Sequence, residues 1–455
     1  MLKPDTSARV ELRRDLGVWG AAAIVVGTVI GSGIFLVPKT MVLNVGSAEM
    51  VFLVFVFGGL LSLAGALTYA ELAAAMPEAG GEYAYLREAY GPFFGFIYGW
   101  TQMWVAKSGS IATLATAFFY YLANFYPGLE STVFQSDWLE IKTGQLLAMA
   151  VIAFLGFVNY FGVKVGGGVQ VGVTILKVVL IALIIGVGLT FSGGSTTNFD
   201  TAIPNATGGI AGFFAALVAA LWAYDGWNNV SMVSSEIRNP QRNLPRALIL
   251  GTLAVMAIYL AANLAYFYVL PASAVGASDR VAADMMRQIW GTTGANAVSI
   301  AAMISIFAAL NGSILSGSRV PFAMARDGLF FQSIATVHPR YFTPANSIIA
   351  LTLWSMILVL SGRYDQLFTY VIFASWILYG MATASVLVLR RKRPDLPRPY
   401  KTLGYPVVPI LFVIVAAALI LSTLVKSPRE SLLGLGIILL GIPFFWYWSS
   451  KKREK

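Results

Sequence analysis

The chain has 455 residues, of which 58% are hydrophobic and 11% charged, and a formal net charge of +10. Soluble domains carry about 25% charged residues, so this chain has too few to coat itself for water and reads as a polytopic helical membrane protein. It has no cysteine and one histidine, His338, which excludes disulfides, thiolate chemistry and clustered imidazole metal sites; no metal or cofactor is expected.

Residues 1–16 form a basic segment with Lys3, Arg9, Arg13 and Arg14. The apolar run that follows is too long for a signal peptide and lacks a small-residue cleavage site, so it reads as a retained first helix. Twelve spans are expected, near 17–40, 47–76, 92–124, 144–162, 168–191, 209–236, 245–270, 294–325, 346–361, 366–390, 405–424 and 431–450. The ninth is short, and the eighth is rich in small residues, as packed interior helices are. The longest connections, near 125–143, 192–208 and 271–293, are too short for a soluble domain.

The basic residues lie mainly on one side: the N-terminus, Arg87, Lys164, Arg238/Arg242/Arg246, Arg326/Arg340, the cluster RRKRPDLPRPYK from Arg390, and the tail KKREK. By the positive-inside rule both termini are cytoplasmic. The positive charge is thus a topology signal and an attraction to anionic lipid, not a nucleic-acid face.

The first span contains IVVGTVIGSGIF, residues 24–35. Gly27 and Gly31 are four apart and suit a packed helix face. Gly33 does not share that face, because two residues turn a helix by about 200°. Gly31-Ser32-Gly33 therefore reads as a break. Freed N–H groups at a half-helix N-terminus make an anion site, to which Ser32 can add a hydroxyl.

The sixth span contains LWAYDGWNNVS, with Asp225, Gly226, Asn228 and Asn229 at its middle. An intramembrane Asp costs roughly 2.5–3.5 kcal/mol on insertion scales. The stretch reads either as a polar patch on a buried helix or as a second break, whose free carbonyls would accept from an ammonium group. Two breaks, each beginning a block of five helices, give an inverted repeat with substrate at the midplane. The blocks are 17–191 and 209–390, followed by two further helices in 405–450 and a cytoplasmic tail, 451–455. An anion nest facing a carbonyl cage suits an α-amino acid.

VVGTVIGSGIF, the stretch from AGALTYAEL to PEAGGEYAYLREAYG (Ala64–Gly91), WAYDGWNN and EIRNPQRNLPRAL (Glu236–Leu248) together resemble the amino acid–polyamine–organocation superfamily, within it the L-type amino acid transporter branch. The resemblance runs from about Leu16 to the last span. It implies an all-α, LeuT-type fold of twelve transmembrane helices, with helices 1 and 6 broken. It implies that Gly31, Ser32 and Gly33, in an unwound stretch with Ile30, take the substrate carboxylate. The carbonyls of Val29, Trp222 and Asp225 would take the α-amino group. Trp222 stands where the branch has an aromatic gate, and Tyr224, Gly226, Trp227 and Asn228 fill out the second break.

Three departures stand out. Animal members commonly have a small residue where Asp225 sits. They also join an accessory glycoprotein through a disulfide, which a chain without cysteine cannot do, so a stand-alone transporter of a bacterial inner membrane is expected. Helix 10 has Ser375-Trp376 in place of an Asn-Trp pair.

Lys177, in VTILKVVLIALII, is roughly 13 Å deep at 1.5 Å per residue. It either snorkels to the cytoplasmic interface or serves as an internal ammonium. The resemblance implies the second: Lys177 stands where sodium-coupled relatives hold a cation, and holds helix 1 against helix 8 through Ser313. It would then be a fixed tether or a titrating group. Lys107 is also deep and reads as a structural pair. Glu71, Glu236 and Asp327 are expected to be solvated, or paired with Arg238 or Arg326.

An enzyme would need paired carboxylates, a histidine base or metal ligands, and the sequence has no HExxH or GxSxG. A channel would be built from a ring of like elements, whereas the two breaks are unlike. The expected function is sodium-independent exchange of small to medium neutral L-amino acids. The alternatives are proton-coupled symport and transport of cationic amino acids or polyamines. The expected partners are the amino acid and the bilayer.

Overall fold

A computed structural model describes residues 11–136, 140–361, 364–426 and 428–453. Lys3, Arg9 and the last two residues of the tail lie outside the described residues. The described chain is mostly helical. α1 (Val18–Val29) and α2 (Gly33–Val45) bend by 41° at their junction. α3 (Ala48–Ala75) starts at Ser47, whose hydroxyl caps the Met50 N–H, with Glu49 in its positive first turn. α4 (Glu82–Tyr90) follows Gly80 and Gly81, at φ +90° and +52°. α5 (Pro92–Thr101) opens on a proline, which needs no N–H partner there. Residues 102–106 then widen into a π-helical turn before α6 (Lys107–Leu122).

The next connection holds a small hairpin of β1 (Thr132–Gln135) and β2 (Glu140–Lys142). α7 (Thr143–Tyr160) and α8 (Val163–Leu189) follow. α9 (Gly209–Ala223) and α10 (Asn229–Met232) are separated by a turn. α11 (Pro240–Val269), α12 (Ala272–Ala277), α13 (Val281–Gly317), α14 (Arg319–Arg326), α15 (Ala345–Ser361), α16 (Tyr364–Lys392), α17 (Val407–Lys426), α18 (Pro428–Leu439) and α19 (Gly441–Arg453) complete the chain.

Among the described residues, eight helices are long and apolar enough to cross a membrane, or nine with α1 and α2 as one bent span. This makes the chain a multi-pass membrane protein. The sequence reading of twelve runs exceeds that count because α9 and Ala345–Leu360 are apolar but shorter, and because the π-helical turn divides the third run into α5 and α6. Three boundaries also differ from expectation. The connection near 271–293 contains α12 and the start of α13, which kinks at Trp290 and Gly291. The eighth run divides at Ser318 into α13 and α14, and the last divides at Leu440 into α18 and α19.

The acidic residues at the span ends are neither solvated nor paired as expected. Glu236 is buried and accepts two bonds from Arg319, at 2.6 and 3.0 Å. Arg319 spends its remaining donors on the Leu315 carbonyl and Ser318. Glu71 takes Arg390 at 2.7 and 2.9 Å, together with the Thr402 N–H and hydroxyl. Asp327 takes Arg87 and Tyr83, while Arg326 turns to Glu11. Sequence neighbours were the wrong candidates because helical packing brings distant segments closer than the loop does.

Breaking a buried pair leaves one charge uncompensated and costs about 3–5 kcal/mol. Glu236→Ala is therefore expected to lower stability by about that amount. Thermal denaturation in detergent checks it, and an unchanged melting curve would mean that the pair contributes nothing to the fold.

Candidate functional site

The last carbonyls of any helix lack intrahelical partners. At the end of α1 the chain leaves helical geometry at Ile30, φ −74° and ψ 85°. The Gly31 N–H turns to the Val29 carbonyl at 2.8 Å, so the Gly27 carbonyl loses the partner a continuous helix would supply. Gly27 itself is a packing glycine: a Cβ there would lie 2.0 Å from Gln170 Nε2 of α8. Gly33 is too, but against a different neighbour. Its Cβ would lie 2.6 Å from Ala223 Cα, where α9 ends. Gly31 has more room, with Leu114 Cδ2 at 3.3 Å.

The second break runs from Tyr224 to Asn228, with Gly226 at φ +103°. That conformation suits glycine, and a Cβ would also crowd Thr28 Oγ1 at 3.1 Å. Thr28 Oγ1 lies 2.9 Å from the Gly226 carbonyl and 2.6 Å from that of Ile24. Tyr259 of α11 lies with its hydroxyl 3.0 Å from the Val29 carbonyl and 2.8 Å from that of Ala223. The two broken helices thus meet, and their carbonyl ends share one phenol proton.

Lys177 is fully buried. Its ammonium donates to the carbonyls of Gly27 at 2.7 Å, Ile30 at 2.5 Å and Ser305 at 3.3 Å. All three donors are used inside the protein, and none reaches an interface. The α13 partner is Ser305 rather than the expected Ser313, and the Ser305 hydroxyl also lies 2.8 Å from the Ile30 carbonyl. Two turns of helix separate these serines, too far for one ammonium to reach both.

A cavity with about 340 Å³ of non-atom space opens between the breaks. Val29, Gly31, Ser32, Gly33, Trp222, Asp225, Gly226 and Ser313 line it, joined by Thr28, Ser110, Leu114 and Asn229. Four expected residues do not line it. Ile30 gives its carbonyl to Lys177 and Ser305. Tyr224 points to α3, its hydroxyl 3.2 Å from the Phe55 carbonyl. Asn228 turns to Glu82. Trp227 is buried against Tyr69 and Tyr379.

Asp225 accepts from the Tyr379 hydroxyl at 2.9 Å. Lys107, just past the π-helical turn, donates to Asn229 Oδ1 at 2.6 Å, which gives the structural pairing a partner. Ser110 and Leu114 were legible only as an i, i+4 pair on one helix face. Ser305 and Tyr259 carried no signal: a serine in a small-residue helix and a tyrosine in an apolar run both read as core.

Comparison with known proteins matches residues 16–443 to the family described as amino acid permease. The chain is 34% identical over 446 residues to the serine/threonine exchanger SteT of Bacillus subtilis, covering 97% of this chain and 98% of the relative. It is 32% identical over 443 residues to the b(0,+)-type amino acid transporter 1 of Mus musculus, covering 96% and 88%. It is 30% identical over 455 residues to the cystine/glutamate transporter of Homo sapiens, covering 99% and 89%.

Proposed function

The chain belongs to the amino acid permease family, which makes it an amino acid transporter and not an enzyme, and we propose that it exchanges small to medium neutral L-amino acids across a bacterial inner membrane, without sodium. The observation that carries this reading is one small polar cavity where two broken helices meet. Gly31, Ser32 and Gly33 form the carboxylate end of the site: Ser32 and Gly33 offer N–H groups at the start of α2, where the helix dipole favours an anion, and Gly31, whose N–H is held by the Val29 carbonyl, leaves room for it. The Val29, Trp222 and Asp225 carbonyls take the ammonium, and Trp222 closes over the side chain. The bulk of Trp222 in the cavity wall supports a small to medium side chain. A fixed ammonium, Lys177, already satisfies the carbonyl end of α1, which supports transport without a sodium ion there.

The proposed architecture is the twelve-span inverted repeat of 17–191 and 209–390 with two added helices in 405–450, both termini cytoplasmic. The paired breaks of α1/α2 and α9/α10 support it, as does the basic character of the loops near Arg87, Arg238 and Arg390. The 455 residues hold no cysteine, so no disulfide ties the chain to another subunit.

The test is uptake of labelled alanine or serine into proteoliposomes, with no sodium and no pH gradient. Uptake is expected only when unlabelled amino acid is inside. Uptake that needs an inward proton gradient instead would replace exchange with symport. Uptake driven by internal arginine but not by serine would move the specificity to cationic substrates.

A further inference from the structure

We propose that Glu82 is a proton-binding residue between α4 and α10, carrying its proton on Oε2 and donating it to Ser231 Oγ. Three buried carboxylates lie near the basic loops. Two of them, Glu71 and Glu236, hold arginines. Glu82 is as deeply buried, yet among the described residues no lysine or arginine comes within 4.0 Å of it. A buried carboxylate without a cation is costly, and the usual relief is to take up a proton.

The hydrogen-bond pattern points the same way. Asn228 donates its amide N–H to Glu82 Oε1. Ser231 Oγ lies 2.7 Å from the Asn228 carbonyl and 3.1 Å from Glu82 Oε2. A serine hydroxyl has one proton to give. The shorter contact, to a carbonyl that can only accept, takes it. The contact between Oγ and Oε2 is then a hydrogen bond only if Glu82 supplies the proton.

The titratable groups facing Glu82 are four phenols, one lysine and one carboxylate. Tyr69 of α3, Tyr85 of α4, Tyr98 of α5 and Tyr379 of α16 surround it with phenols. Lys107 of α6 is the cation within electrostatic reach, and its ammonium is bonded to Asn229; Asp225 of the second break shares that cation's field. Burial pushes the Glu82 carboxyl above the ordinary carboxylate range, and the bonds from Asn228, from its own backbone N–H and from Tyr98, with the field of Lys107, offset this only in part.

The position gives the proton a consequence. α4 docks on α10 through the Gly80 N–H and the Met232 carbonyl at 2.9 Å, and a Cβ on Gly81 would lie 2.6 Å from Ser231 Oγ. α10 is the inner half of the second broken helix. A carboxyl whose pKa is raised in this contact stabilises it at acid pH. That stabilisation is lost as pH rises through the raised value, because a bare charge is then buried. The contact is therefore tight with the proton and loose without it.

The test is exchange in proteoliposomes at equal internal and external pH, stepped from acid to alkaline, since a carboxyl with a raised pKa loses its proton as pH rises. Wild-type exchange is expected to rise several-fold with pH. Glu82→Gln, whose amide N–H imitates the protonated carboxyl, is expected to stay at the slow, acid-side rate throughout. A wild type indifferent to pH, or a Glu82→Gln protein with the wild-type profile, overturns the proposal. Should Glu82→Gln fail to fold, Ser231→Ala removes the acceptor and must move the midpoint downward; an unmoved midpoint overturns it equally. Infrared spectra of purified protein give a readout independent of substrate. A protonated-carboxyl band that appears as pH falls is expected in wild type and not in Glu82→Gln, and the same band in both proteins refutes the assignment.

Discussion

Lys177→Ala is expected to slow exchange by about tenfold to a hundredfold while leaving substrate affinity within a few-fold. The ammonium donates to three carbonyls, two of them at the break of α1. A hydrogen bond to a charged group contributes about 1.5–3 kcal/mol, and each 1.4 kcal/mol on a barrier is about a factor of ten. Alanine leaves the Gly27 carbonyl bare and Ile30 with only Ser305, so the end of α1 is no longer held to α8 and is held to α13 by one hydroxyl. Lys177 does not line the cavity, and its loss acts on the movement of α1 rather than on contacts with the amino acid. Exchange velocity and half-saturation, measured against internal substrate, separate the two effects. An unchanged velocity would mean that the buried ammonium is a passenger. Equal losses in velocity and affinity would mean that it shapes the site itself.

Ser32→Trp is expected to abolish uptake while the protein still inserts and purifies. Ser32 sits between the two broken helices, in the wall of the cavity. A tryptophan side chain presents an area of about 150–250 Å², so an indole at this position fills the carboxylate end of the space. Overpacking also costs about 1–3 kcal/mol, so the melting temperature is measured beside uptake. Ser32→Ala is the control: it removes only a hydroxyl, worth about 0.5–1.5 kcal/mol as a hydrogen bond, and should weaken affinity a few-fold. Normal uptake by Ser32→Trp would place the substrate elsewhere. Loss of uptake in a protein that no longer purifies as a folded species would leave Ser32→Ala to decide, and unchanged affinity in that variant would remove Ser32 from the site.

The sequence alone determined that the chain lives in a membrane, because 11% charged residues cannot solvate 455. It also located the first break, and it placed the second as one of two readings of the Asp-Gly stretch, which the family resemblance favoured. Glycines two apart in an apolar run, and Asp-Gly at the middle of another, are local signals that need no tertiary partner. Helix ends behave differently. The divisions at Ser318 and Leu440 lie in runs read as single spans, and the kink at Gly291 lies inside a helix that begins in a stretch read as a connection.

Only the tertiary structure decided which side chains face the cavity. Asn228 and Asn229 are adjacent and chemically identical, yet one holds Glu82 and the other lines the site. In an unwound segment the side-chain direction follows individual φ and ψ values rather than a 3.6-residue period, so no pattern in the sequence encodes it. The partners of the buried charges were equally out of reach. Lys177 stands 128 residues from Ser305, and Glu236 stands 83 from Arg319. Burial makes such groups seek whatever donors and acceptors the packing supplies, and packing is a property of the assembled helices rather than of any one of them.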